Sequence, residues 1–369
     1  MANTYYFSAP GRTELSGNHT DHQHGCVLAA SVNLEATAEV QLNNENCIRI
    51  QSEGYPEFSV SLEDLSPRNS EKGTSSALVR GIAAEFNALG IPVTGFNAVI
   101  RSQVPAGSGL SSSAAFEVLI ARILNGLFAE NKLSPIQLAK ICQKAENVYF
   151  GKPCGLMDQL TCSVGGAVFI DFADSNMPAV EQLNFDFSAS GHSLCIIDTG
   201  ADHAGLTEEY AAITQELGDL CHYFGKQYLR QIPEAEFLSA LPQLRKKVSD
   251  RAILRAIHIY RENARVNAQA NALKQGDFSE FLSLVNQSGR SSWMYLQNIY
   301  PAGAVTHQPV ALALALCETL LNGRGACRVH GGGFAGTVLA FVPNDLLKTF
   351  THSMEAVLGV GTCHVLNIS

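Results

Sequence analysis

Between residues 96 and 128 the chain changes its hydrophobic period. Phe96, Ala98, Ile100, Ser102 and Val104 alternate with other residues, and that spacing of two predicts a strand. Ala115, Val118, Leu119, Arg122, Ile123 and Leu127 then recur at helical spacing, with apolar residues dominating. VPAGSGLSSSAA, residues 104 to 115, separates the two patterns and carries two glycines and three consecutive serines. The predicted unit is strand, flexible loop, helix. A second helix is predicted from Ser134, an N-cap ahead of Pro135 at the first helical position, to about Phe150.

Further along, residues 173 to 191 are rich in Asn, Asp, Ser and Pro and read as a connection between domains. Leu194 to Ile197 reads as a strand. Helical patterns follow over 208–228, 248–274 and 308–321. Val329 and Thr337 to Val342 flank a second glycine cluster, HGGGFAG, with strand-like residues on its far side. Helices and strands are interspersed, so the expected class is α+β. The length of 369 residues suggests two domains, placed at 1–180 and 181–369.

Composition narrows the function classes. Residues are 46% hydrophobic and 16% charged, enough for a large core. A net charge of −9 argues against nucleic acid as a partner, since that needs a basic face. The first ten residues lack a basic segment followed by an apolar run, so no signal peptide is expected. The longest apolar run, Val310 to Cys317, stops at Glu318, far short of the roughly 20 residues a spanning helix needs. Ten cysteines without a C-x-x-C pair read as free thiols. The expectation is a cytoplasmic protein, away from membranes, monomeric or weakly self-associating.

Glycines let several backbone N–H groups point into one concavity, and a helix N-terminus adds partial positive charge. Gly107, Gly109 and the first N–H groups of the helix, near Ser111 to Ala114, form such a phosphate cradle; the serines offer further donors and one magnesium ligand. The same stretch also reads as a flexible turn with a serine-rich cap. It is not a G-x-x-x-x-G-K-[ST] loop, and Ser112 stands at the last glycine of G-x-G-x-x-G. Gly331, Gly333 and Gly336 do fit that spacing, but TVLAFV, a strand pattern, follows them instead of a helix. No G-x-S-x-G elbow is present, which disfavours a serine hydrolase.

Two other segments concentrate polar chemistry. APGRTELSGNHTDHQHG, residues 9 to 25, gathers Arg12, Asn18, His19, Asp21, His22 and His24. Such a set suits a polyhydroxylated ligand; a metal site from His19, His22 and His24 and a solvated loop are the rival readings. AENVYFGKPCGLMDQL, residues 145 to 160, holds Glu146 on a predicted helix and Asp158 after a tight turn. Glu146 is a candidate magnesium ligand. Asp158 reads as a general base or as a helix cap.

The order GR…HTD, PxGxGLSSSAA, CGLMDQ, GGGFAG resembles the GHMP small-molecule kinases, and within them the galactokinase-like branch. HYFGKQYLRQIP and AIHIYRENARVNAQANALKQGDF are similar to that branch too, so the likeness spans nearly the whole chain. It implies an N-terminal domain like the second domain of ribosomal protein S5, a ferredoxin-like C-terminal domain, and an active site between them. It implies ATP-dependent phosphorylation of a sugar's anomeric C1 hydroxyl, most simply that of galactose. Gly107, Ser108, Gly109, Leu110, Ser111, Ser112 and Ser113 would cover the ATP phosphates. Ser113 and Glu146 would hold Mg2+. Asp158 would be the catalytic base with Arg12 beside it, keeping it ionised. Asn18, His19, Asp21, Gly155 and Tyr210 would line the sugar pocket, and Gly333 would approach through its backbone.

The chain departs from that pattern in places. Asn18 stands where the family has a glutamate that contacts the sugar's C6 hydroxyl. Asn is uncharged and would tolerate a carboxylate at C6, so a kinase for galacturonate is an alternative. Glu14, His22, Ala335 and Asp202 also replace the usual residues. A non-catalytic sugar and ATP sensor is a further alternative, disfavoured because Asp158 and Arg12 are both retained.

Overall fold

The computed structural model describes residues 3–105, 107–201 and 206–368. They group into two units with bounds unlike the contiguous halves expected from sequence. The chain up to Thr13 joins Ser31–Gly165; Glu14–Ala30 joins Gly166–Ile368. Strand length underlies this division. β1 (Thr4–Ser16) has 13 residues and β2 (Cys26–Leu42) has 17, long enough for each to serve both units.

In the first unit β3 (Cys47–Ser52), β4 (Phe58–Ser61), α1 (Ser75–Ala88) and β5 (Phe96–Ser102) precede α2 (Ser112–Phe128), α3 (Pro135–Lys144) and α4 (Met157–Val164). The strand order is β4-β3-β5-β2. β3 and β5 run parallel; β3 with β4 and β5 with Ala36–Leu42 of β2 run antiparallel. β5 buries Phe96, Ala98 and Ile100 and exposes the residues between, so the alternating pattern is a half-buried strand. α1 buries Val79, Ile82 and Phe86, and α2 buries Val118, Leu119 and Ile123. Ser134 caps α3 through a reciprocal capping box with Gln137, and Pro135 occupies the first turn. The predicted helix to Phe150 is α-helical only to Lys144. Ala145–Phe150 winds wider, as a π-helical turn, and closes at Gly151 with φ +84°.

The second unit begins with β6 (Ala167–Asp171), which pairs with Cys26–Ala30 of β2 and with β7 (Ala179–Leu183). The stretch from 173 to 191, expected to be a connection, therefore contains a paired strand. β8 (His192–Asp198), α5 (Thr207–Tyr223), α6 (Glu234–Leu244), α7 (Asp250–Lys274), α8 (Phe278–Ser291) and α9 (Pro309–Leu321) follow. β9 (Ala326–Val329), β10 (Thr337–Pro343), α10 (Leu347–Leu358) and β11 (Cys363–Leu366) complete it. Four antiparallel strands lie in the order β11-β8-β10-β9. Cys195, Ile197, Val338 and Val342 pack with Val310, Leu314 and Cys317 of α9 and Phe350 of α10. A second core joins Leu217 of α5, Phe237 of α6 and Ala256 and Ile259 of α7. Among the described residues no helix is long and apolar enough to cross a membrane. Asp202 lies outside the described residues.

Candidate active site

The glycine loop sits where its sequence pattern puts it, after β5 and ahead of α2. Gly107, Gly109 and Ser111 have φ of +77°, +73° and +55°, so the backbone repeatedly enters the left-handed region. Such turns aim successive N–H groups to one side. The first N–H groups of α2, on Ser112, Ser113 and Ala114, have no acceptor within the helix. Leu110 is buried and accepts the Arg12 N–H through its carbonyl at 3.0 Å; the Gly109 carbonyl accepts from the Arg12 guanidinium. Ser108 donates to the Pro105 carbonyl at 2.8 Å. The loop is thus tied at both ends, while Ser113 is exposed.

Asp158 is the second residue of α4 and is not its cap, which is Leu156. Arg12 holds it bidentately: Nε to Oδ1 and Nη2 to Oδ2 are both 2.7 Å. The Ser111 hydroxyl also donates to Oδ2. Burial alone would raise this carboxyl. The Arg12 charge and its hydrogen bonds, helped by Ser111, outweigh that and hold it below the usual aspartate range.

Glu146 lies in the π turn, buried, with Lys152 Nζ 3.5 Å from its carboxylate. Gln159 Nε2 donates to Glu146 at 2.7 Å and to Glu117 of α2 at 3.1 Å. Burial and then the Glu146 charge push the Glu117 carboxyl well up. Glu117 Oε1 has no hydrogen-bond partner among the described residues. The Glu146 carboxylate and the exposed Ser113 hydroxyl are hard oxygen donors of the kind magnesium takes, with water and phosphate completing its shell. Sequence reasoning missed Glu117, Gln159 and the Ser111 link. Glu117 and Gln159 left a faint signal, as polar residues on the apolar faces of α2 and α4. Gly155 is exposed in the segment before α4, next to Cys154, whose N–H donates to Asn147 Oδ1 at 2.7 Å.

A separate cluster forms in the second unit around Gly331–Gly333. Asn18 is 1% exposed. Its Nδ2 donates to the Gly331 carbonyl, and its Oδ1 accepts from Asn298 Nδ2 at 2.7 Å and the Ser292 hydroxyl at 3.3 Å. His19 Nε2 donates to the Gly332 carbonyl at 2.9 Å, which Asn298 also reaches at 3.0 Å. The Tyr210 hydroxyl donates to the Gly333 carbonyl at 2.8 Å. Three successive carbonyls are thereby engaged by side chains. Gly333 has φ +82°, and a Cβ there would lie 2.1 Å from the Asn298 carbonyl oxygen, so only glycine fits. Burial lowers His19 to about 4 and keeps its ring neutral. Asp21 opens a short 3-10 turn and accepts the His22 N–H at 2.9 Å. His19, His22 and His24 do not converge: the first two rings are 6.0 Å apart and His24 stacks on Tyr228 at 3.7 Å. Among the described residues no three His, Cys, Asp or Glu side chains form a metal-binding group.

Comparison with known proteins identifies the family. Residues 76–166 match the GHMP kinase N-terminal domain, and residues 2–42 match the galactokinase galactose-binding signature. A galactokinase from Streptomyces coelicolor is 32% identical over 354 residues, 95% of this chain and 87% of that protein. The crystal structure of Lactococcus lactis galactokinase complexed with galactose has a TM-score of 0.82 at 24% identity, covering 99% of this chain and 94% of that one. Mevalonate kinase from Methanococcus jannaschii has a TM-score of 0.71 at 14% identity, covering 100% and 99%. The fold is therefore that of the GHMP kinases.

Proposed function

The chain belongs to the galactokinase family of the GHMP kinases, and on that premise we propose which of its residues carry phosphate from ATP to galactose. It is a sugar kinase. The transfer is to the C1 hydroxyl. The amides of Gly107 to Ser113 grip the ATP phosphates through backbone donors, which position the chain of phosphates and offset its charge. Ser113 and Glu146 would hold Mg2+, which would supply neutralisation of phosphate charge. Asp158 accepts the proton of the C1 hydroxyl as that oxygen bonds to the terminal phosphorus and ADP leaves. Arg12 keeps Asp158 an acceptor by holding it ionised, and Ser111 fixes the orientation of its carboxylate. His19, Asp21, Tyr210 and the Gly333 backbone bound the sugar pocket, and Asn18 ties their segment to Gly331. Ten free cysteines suit a reducing cytoplasm.

The observation that carries this reading is the bidentate Arg12–Asp158 pair on the anchored glycine loop. A panel of free sugars assayed for ADP release, with the product identified by NMR, tests it. Galactose 1-phosphate is the expected product. Strong turnover of galacturonate with little on galactose would replace the substrate, and tight binding of sugar and ATP with no phosphorylated product would replace the enzyme by a sensor.

A further inference from the structure

Helix α7 carries polar side chains on a face that is otherwise apolar. His258 and Glu262, one helical turn apart, are both fully buried, and Asn263 follows. Buried polar groups of this kind need partners, and each of the three finds one on the backbone of residues 17 to 26. Glu262 Oε1 accepts the Gly17 N–H at 3.2 Å, the Ser16 hydroxyl at 3.1 Å and the Ser288 hydroxyl at 2.6 Å. Its other oxygen accepts from Arg265 at 2.8 Å. His258 Nε2 lies 3.1 Å from the Asn18 carbonyl, and Nδ1 lies 2.9 Å from the Ser291 hydroxyl. Asn263 Oδ1 accepts the Cys26 N–H at 2.8 Å.

The chemistry fixes the histidine's tautomer. A carbonyl oxygen only accepts, so Nε2 carries the proton and donates to Asn18. Nδ1 of the neutral ring then accepts from Ser291. Burial lowers this histidine to about 4, so the neutral ring persists at physiological pH.

The segment held this way is not at rest on its own. Gly17 has φ +105°, and a Cβ there would lie 2.8 Å from the Cys26 carbonyl oxygen. His19, a residue with a side chain, sits at φ +62°. A left-handed non-glycine residue is strained and persists where surrounding structure over-determines it. The hydrogen bonds from α7 to the Gly17 N–H and the Asn18 carbonyl fix the two residues that lead into His19.

We propose that His258 and Glu262 are positioning residues for the sugar pocket: through the Asn18 carbonyl and the Gly17 N–H they set the backbone that presents His19 and Asp21. This rests on the reading that Asn18 to Asp21 border the sugar. A displacement of the pocket wall by a fraction of an ångström weakens sugar binding without touching the nucleotide, because among the described residues neither side chain hydrogen-bonds the glycine loop.

The test uses the full chain and reads KM for galactose and for ATP separately. His258→Leu removes the donor and is expected to raise the galactose KM about tenfold, with the ATP KM within about twofold. His258→Gln retains an N–H that reaches the Asn18 carbonyl and should return the galactose KM to within about threefold of wild type. An unaltered galactose KM in folded His258→Leu overturns the proposal, as does a parallel rise in both KM values or no rescue by Gln. Should His258→Leu fail to fold, Ser291→Ala takes its place. It frees Nδ1 and should raise the galactose KM about threefold with ATP unaffected; no change overturns the proposal. Asp21→Ala run alongside separates the two levels. If it leaves the galactose KM unchanged, the sugar is not at this segment. If it raises that KM while the His258 and Ser291 variants do not, the positioning role alone fails.

Discussion

The two clusters differ in kind. Around Asp158 the partners are charged or strongly polar: a guanidinium on both carboxylate oxygens, with Glu146 and Lys152 forming their own ion pair nearby in the chain. Around Gly331–Gly333 they are neutral: two asparagines, an uncharged histidine and a tyrosine on three carbonyls. Phosphoryl transfer moves charge, so its site works by placing charges before the reaction. A hexose is a neutral polyol, and its pocket works by holding donors and acceptors at fixed places. The first cluster should therefore answer to charge-changing substitutions and pH. The second should answer to geometry.

The largest effect follows from removing the base. Asp158→Ala is expected to cut kcat by about 10²–10⁴, the usual range for loss of a general base, with ATP affinity little changed. Turnover near wild type would show that no proton passes to this residue.

Arg12 sharpens the contrast through pH. With Arg12 present, Asp158 titrates below the ordinary aspartate range, so the wild-type rate stays flat from pH 8 down to 5. In Arg12→Met the opposing charge is gone and burial raises the carboxyl. Protonation then removes the base as pH falls, and the ratio of kcat/KM at pH 8 to that at pH 5 should grow roughly tenfold for each unit by which the carboxyl rises above 5. Equal ratios in the two proteins would detach the ionisation of Asp158 from Arg12. The same depressed carboxyl stabilises the native state above the unfolded aspartate pKa, and that contribution is lost as pH falls through the folded value.

Glu146→Ala is expected to raise the magnesium concentration for half-maximal rate by about tenfold, one ligand's contribution, while galactose KM holds. A magnesium titration that overlays the wild type would remove Glu146 from the ligand set.

The same contrast explains what the sequence disclosed. The glycine loop was legible because its chemistry is local: a change of period from two to helical, with glycines and serines at the junction. Asp158 was legible only as a pair of options, base or cap. The cap is Leu156, and the partner of the Asp158 carboxylate is Arg12, 146 residues away, a pairing that no spacing encodes. Long-range ties also hid Asn298 and the role of His258. The one local trace was polar residues inside the apolar face of α7. α6 and α8 escaped the pattern, the first interrupted by Pro242. The division into units was hidden for a related reason, since β1 and β2 are continuous strands with no punctuation at Thr13 or Ala30.

The smallest expected effect is also where sequence and structure part. From sequence, Asn18 replaces a glutamate that meets the sugar, so Asn18→Glu should restore galactose use. In the structure the Asn18 side chain is saturated by Gly331, Asn298 and Ser292, and it ties one backbone segment to another. Glutamate has no N–H to give the Gly331 carbonyl, is one methylene longer, and would bring a charge into a site that is 1% exposed. Losing one buried hydrogen bond costs about 1–3 kcal/mol, so Asn18→Glu should lower galactose kcat/KM about fivefold or more, mostly through KM. Higher kcat/KM on galactose in a folded Asn18→Glu protein would mean that the side chain at 18 reaches the sugar and leaves the loop to His19, Asn298 and Tyr210. The neutral cluster would then owe its selectivity to charge after all, and the contrast between the two regions would fail.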